Sequence, residues 1–124
     1  MRRVYASLPL SGPAAASGRE GLQGALIALE ARGDGDVELE MLDSFGPDRE
    51  ARALANAGRA AADPVAVAYL GDFHSSQVAV TAPVLAAAGL LAVAPVATAA
   101  WLAGETLVRL TPDDGAVARA ISWS

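Results

Sequence analysis

Six consecutive apolar residues, Val65 to Leu70 ("VAVAYL"), lie between an Asp-Pro turn and a glycine. The run is short, lacks polar alternation and ends on Tyr and Leu, so it reads as a strand buried on both faces of a sheet. Such a strand demands helices above and below it, and parallel neighbours reached by crossover connections.

The rest of the chain supplies those parts. Arg3 to Leu8 is a short apolar strand, broken by Ser11-Gly12-Pro13. Ala14 to Arg32 carries Leu22, Ala25, Leu26 and Leu29 at helical spacing, and Gly33 to Asp36 ends it with turn chemistry. Val37 to Leu42 alternates apolar residues with Glu, which predicts a half-exposed strand at a sheet edge. After the loop Asp43 to Pro47, the stretch Asp48 to Ala62 predicts a helix with Leu54, Ala57 and Ala61 on one face, closed by Asp63-Pro64. Ser75 or Ser76 is the expected cap of a helix running to Ala88, with Gly89 as its stop. Leu90 to Ala94 is a second buried strand, Ala97 to Ala103 a loop or short helix, and Thr106 to Leu110 a last strand. Thr111-Pro112-Asp113-Asp114 signals a further helix start.

Strands and helices thus alternate with short connections, which predicts an α/β fold with a doubly wound parallel sheet in three layers, α/β/α, as one domain over residues 1 to 124. In such sheets ligands bind beyond the carboxyl ends of the strands. The polar loops fall there: Leu8 to Ser17, Asp43 to Pro47, Gly71 to Ser76 and Pro95 to Thr98.

Composition narrows the chemistry. The formal net charge is −5 and every positive side chain is Arg, with no basic patch, which argues against nucleic acid as a partner. The absence of Cys excludes thiol catalysis, disulfides and cysteine-bound metal. No apolar stretch is long enough to span a membrane, since Gly89 and Pro95 punctuate the run Ala86 to Ala100. No signal peptide is visible, which fits either a cytoplasmic chain or a removed leader.

The segment "YLGDFHSSQVAVTAP", Tyr69 to Pro83, concentrates polar groups between a strand and a helix. Asp72, His74 and Ser75 or Ser76 invite a catalytic-triad reading, but all lie within five residues and no nucleophile elbow is present. A ligand-contacting loop or a plain helix cap accounts for them better. His74 has no second His or Cys to complete a metal site. Neither a P-loop nor G-x-G-x-x-G occurs, and the first loop has too few hydroxyls for a flavin cradle, so no cofactor is expected. Asp43 to Asp48 reads as a solvated loop with Asp48 capping the next helix. Trp101 and Trp123, as isolated aromatics, read as core or interface.

Four stretches, "LPLSGPAAASGREGLQGALIALE", "VELEMLDSFGPDREARALANA", "YLGDFHSSQVAVTAPVLAAAGLLAVAPVATAAWL" and "LVRLTPDDGAVARAI", together cover nearly the whole chain. In their order and spacing they resemble the N-terminal lobe of type I periplasmic (Leu/Ile/Val-type, branched-chain amino-acid) solute-binding proteins of ABC transporters. The resemblance implies a flavodoxin-like half and non-catalytic binding of a branched-chain amino acid or a similar small carboxylate or amide. It puts the ligand carboxylate on Ser75, with Ser76 beside it, and on Thr98, with backbone groups of Val96 and Ala97 facing the ammonium. The first loop, Leu10 to Ser17, then lines the side-chain pocket, although relatives often carry an aromatic residue where Ser17 stands. A helix N-terminus and neutral hydroxyls suit a carboxylate without any general base.

The same resemblance implies an ABC permease as partner of the full-length protein and a periplasmic or extracellular location, with a lipoprotein anchor as one form. The second lobe is absent, so the chain reads as a fragment, a truncated product or an engineered piece. Exposed apolar surface then favours a homodimer. The alternatives are a cytoplasmic amide- or amino-acid-sensing regulator on the same fold and an α/β hydrolase using His74.

Overall fold

The computed structural model describes residues 1–33, 35–95 and 107–109. Strand β1 (Arg2–Leu8) leads into helix α1 (Ala15–Arg32), followed by β2 (Val37–Asp43), α2 (Arg49–Ala62), β3 (Ala66–Leu70), α3 (Ser75–Ala87), β4 (Leu91–Ala94) and β5 (Leu107–Arg109). All pairings are parallel and the strand order is β2-β1-β3-β4-β5. The expected doubly wound sheet is therefore present, with β2 at the edge. The helix expected after Thr111 and the segment Ala97 to Ala103 lie outside the described residues.

The order has a direct consequence. The chain steps from β1 to β2 in one direction, then crosses back over β1 to β3, so right-handed crossovers put α1 on one face and α2 with α3 on the other. The second face holds the core. Tyr5, Leu42, Tyr69 and Ala92 from the sheet meet Ala57 and Ala60 of α2 and Leu85 of α3. Ala53, Ala57 and Ala60 are fully buried, and these small residues let α2 pack close to its neighbours. The sequence pattern places this face only in part: Ala57 is buried as expected, but Leu54 is 41% exposed, and Ala61 is only half-buried. In an alanine-rich helix the large side chain is not the best guide, because close packing selects the smallest residues.

Coverage of β3 also differs from expectation. Val67 is 42% exposed, at the point where the register between β1 and β3 shifts. The α1 face is thinly covered as well, with Ile27 60% and Leu91 44% exposed.

Helix ends follow local chemistry. Asp48 caps α2, its carboxylate accepting from the Ala51 N–H at 3.1 Å, as the sequence predicts. Gly33, at φ 70°, terminates α1 in the left-handed conformation that favours glycine. The cap of α3 is His74, not Ser75 or Ser76. Gln77, three residues on, reaches back to the His74 N–H at 3.3 Å, so the helix begins one residue earlier than a cap at Ser75 would require.

At the amino ends of the strands, Asp63 anchors the turn into β3. It accepts from Arg3 at 2.6 Å, from the Tyr5 hydroxyl at 2.7 Å and from the Val65 N–H at 3.0 Å. The Tyr5 bond, then the Val65 N–H and the Arg3 charge, hold its pKa below the ordinary value.

Candidate functional site

Because the strands are parallel, the loops after β1, β2 and β3 meet on one rim. Two aspartates organise it. Asp43, the last residue of β2, accepts from the Leu10 N–H at 3.0 Å, the Ser11 hydroxyl at 2.6 Å and the Phe45 N–H at 2.9 Å. It thereby ties the β1–α1 loop to the β2–α2 loop. Partial desolvation alone would raise its pKa, but the Ser11 hydroxyl, the two backbone donors and the Arg52 charge outweigh that and hold it low. Gly12, at φ 75°, lets the loop pass over the Phe45 ring, since a Cβ there would fall 2.5 Å from it.

Asp72 turns the other way. It is fully buried and accepts from Ser7 at 2.7 Å, Thr81 at 3.0 Å and Tyr69 at 3.1 Å, all hydroxyls. Asn56 of α2 donates to the Ser7 hydroxyl at 3.0 Å and to the Asp43 carbonyl at 3.1 Å, so one chain of hydrogen bonds links both aspartates. Burial dominates here and pushes the Asp72 pKa up to about 6 despite its three donors. Gly71 makes the inward turn possible: its φ is 148°, and a Cβ would collide with the Ser7 carbonyl.

Asp72 and His74 therefore face different surroundings, and the triad reading has no geometry behind it. His74 stacks edge-on against Phe73, with ring centroids 5.1 Å apart. Its pKa is lowered, first by burial and then by the Arg49 charge. Among the described residues no group of His, Asp or Glu side chains could hold a metal ion.

Helix α3 starts at the rim. Ser75 is half-buried in its first turn, and Ser76 is exposed beside it. The buried Gln77 donates to the Ser44 carbonyl at 3.1 Å and the Arg49 carbonyl at 3.2 Å, which pins this helix start to the β2–α2 loop. Leu10 is half-buried; its N–H goes to Asp43 and its carbonyl accepts from Arg19 at 3.3 Å. Ser17 is exposed in the first turns of α1. Val96, Ala97 and Thr98 lie outside the described residues.

A cavity of about 250 Å³ opens on the same rim. It is lined by Pro9, Pro13 and Ala14 of the loop after β1, Ser44, Phe45 and Gly46 of the loop after β2, and Arg49 and His74. Two of these residues adjoin sequence candidates, Pro9 next to Leu10 and His74 next to Ser75. Sequence reasoning missed Arg49 as a lining group, and Ser7, Asn56, Tyr69, Gln77 and Thr81 as the framework behind it. One signal was available: Ser7 interrupts an apolar strand, and a buried hydroxyl implies a partner.

The architecture defines a class, a flavodoxin-like doubly wound sheet whose binding crevice opens between β1 and β3, where the strand order reverses. Solved structures with this fold include a leucine-binding protein from Thermotoga maritima, at TM-score 0.85 and 24% identity over 98% of this chain and 36% of that one. The substrate-binding protein of a branched-chain amino-acid transporter from Streptococcus pneumoniae, in complex with isoleucine, aligns at TM-score 0.77 and 24% identity over 91% of this chain and 34% of that one. An ABC-transporter solute-binding protein from R. palustris, in complex with 4-hydroxybenzoate, aligns at 0.76 and 21% over 90% and 32%. The chain thus spans about a third of the length of the proteins whose fold it shares. No protein-family profile and no curated protein sequence matches it.

Proposed function

We propose that the chain is the N-terminal lobe of a two-lobe solute-binding protein serving ABC import. In this reading it holds a branched-chain amino acid or a similar small carboxylate or amide, without catalysis. The observation that carries this is the rim. A parallel sheet in the order β2-β1-β3-β4-β5 presents the start of α3 beside the switch point, in a fold shared with proteins solved holding isoleucine or 4-hydroxybenzoate. The first turn of a helix offers N–H donors and a positive dipole end to an anion. The N–H of Ser76 has no acceptor among the described residues.

In this reading Ser75 and Ser76 hold the carboxylate together with Thr98. The backbone of Val96 and Ala97 takes the ammonium, and Leu10 and Ser17 border the side chain. The second lobe closes over the ligand, an ABC permease receives it, and the protein works outside the cytoplasm. No described helix is long and apolar enough to cross a membrane.

A thermal-shift screen of amino acids, small carboxylates and amides on the full-length protein tests the proposal. An aliphatic amino acid should raise the melting temperature, and Ser75→Ala or Thr98→Ala should remove most of the shift. If no such ligand shifts it, the function is wrong. If both variants keep the full shift, the site is wrong. Turnover of an ester or amide lost in His74→Ala would instead establish the hydrolase alternative.

A further inference from the structure

The amino-acid reading leaves the cavity beside His74 unused, and that cavity has a chemistry of its own. Its lining is mostly planar or apolar: Pro9 and Pro13 from the loop after β1 and Phe45 from the loop after β2. Phe45 is 42% exposed, yet its ring packs against Gly12 and its N–H is fastened to Asp43, so an open aromatic face is held in place. The cationic group is Arg49. It occupies the first position of α2, where the helix dipole disfavours a cation. Its side chain makes no ion pair or hydrogen bond among the described residues, whereas Arg3 and Arg59 each have a carboxylate partner. His74 adds a second flat face and a ring nitrogen.

We infer that this cavity is a subsite for a small aromatic carboxylate, its ring between Phe45 and the prolines and its carboxylate on the Arg49 guanidinium. An arginine fork matches a carboxylate in two parallel hydrogen bonds, and flat rings stack on prolines, imidazole and phenyl alike. An apolar pocket with few polar groups at one end is the usual shape of a small-molecule site. A carboxylate also supplies the counter-charge that Arg49 lacks.

Calorimetric titration of the full-length protein with benzoate, cyclohexanecarboxylate and leucine tests this. Benzoate should bind, and more tightly than cyclohexanecarboxylate, which has the same charge and a similar bulk without a planar ring. Arg49→Gln should weaken benzoate about tenfold or more, the scale of a lost hydrogen bond to a charged group. Phe45→Leu, which keeps an apolar side chain in the loop, should weaken benzoate and erase its advantage over cyclohexanecarboxylate. Arg59→Gln, the same charge change further along α2, should alter nothing. Absence of benzoate binding, or equal binding by wild type and Arg49→Gln, overturns the inference. So does equal binding of the two acids. Leucine binding without benzoate binding overturns it while leaving the proposed function intact. Benzoate binding that depends on Arg49, in a protein that binds no amino acid, supports it and removes the amino-acid reading instead.

Discussion

Asp43 ends β2 and Asp72 follows β3, the two strands that flank β1, and each receives three donors, at least one of them from a distant part of the chain. Their protonation behaviour is nevertheless opposite. Asp43 keeps contact with solvent, and two of its donors are backbone N–H groups held by loop geometry, so its charged form is favoured. Asp72 is sealed beneath the start of α3 with only hydroxyl donors, and burial dominates, so its neutral form is favoured. The number of hydrogen bonds does not decide the state of a carboxyl group. What decides it is how much hydration those bonds replace.

The comparison can be broken most directly at Asp72. Asp72→Ala leaves the hydroxyls of Ser7, Tyr69 and Thr81 buried without their acceptor and should cost about 3 kcal/mol in urea denaturation at pH 7. A loss below about 1 kcal/mol would mean that water takes over the acceptor role.

Titration sharpens the contrast. The folded pKa of Asp72, about 6, lies above the ordinary 3.8. Its contribution to stability is therefore fully present below pH 3.8 and is lost as pH rises through about 6. Asp72→Asn, which cannot ionise, should escape that loss, so its stability relative to wild type should rise by roughly 3 kcal/mol between pH 3.5 and pH 7.5. Parallel stability curves for the two proteins would contradict the burial argument.

Asp43 should show the reverse sign. Its contribution is present above the ordinary carboxyl value of 3.8 and is lost as pH falls through its lowered folded value. Asp43→Ala should cost about 1.5 kcal/mol at pH 7, less than Asp72→Ala, because water reaches the loop and replaces part of what is removed. Hydrogen exchange at Leu10 and Phe45, whose N–H groups it binds, should quicken in the variant.

The smaller effects lie away from both aspartates. Asp48→Ala removes the cap of α2 and should cost about 1 kcal/mol by thermal denaturation. Glu40→Gln removes an exposed partner of Arg59 and should change stability by no more than about 0.5 kcal/mol. A larger effect at Glu40 would show that the β2 edge is coupled to the rim.

Much of the fold was legible because it rests on local chemistry. Apolar runs bounded by Gly, Pro and Asp mark β1, β3 and β4, and alternation with Glu marks the edge strand β2. The rim itself followed from parallel topology, since the loops Leu8 to Ser17, Asp43 to Pro47 and Gly71 to Ser76 each come after a strand. The packed face of α2 was legible only at Ala57, because alanine carries almost no periodic signal. The serine cap was misread because Ser75 and Ser76 are both good capping residues, and the choice of His74 depends on where Gln77 reaches.

By itself, then, the sequence determined the alternation of strands and helices and the end of the sheet at which its polar loops gather. Periodicity and turn chemistry act within a few residues and need no distant partner. The tertiary structure alone decided which polar residues serve as framework and which line a cavity. Asp72 meets Ser7 across 65 positions and Asp43 meets Leu10 across 33. Whether an aspartate is sealed in or left wet depends on what those distant segments bring to it, and no local pattern encodes that.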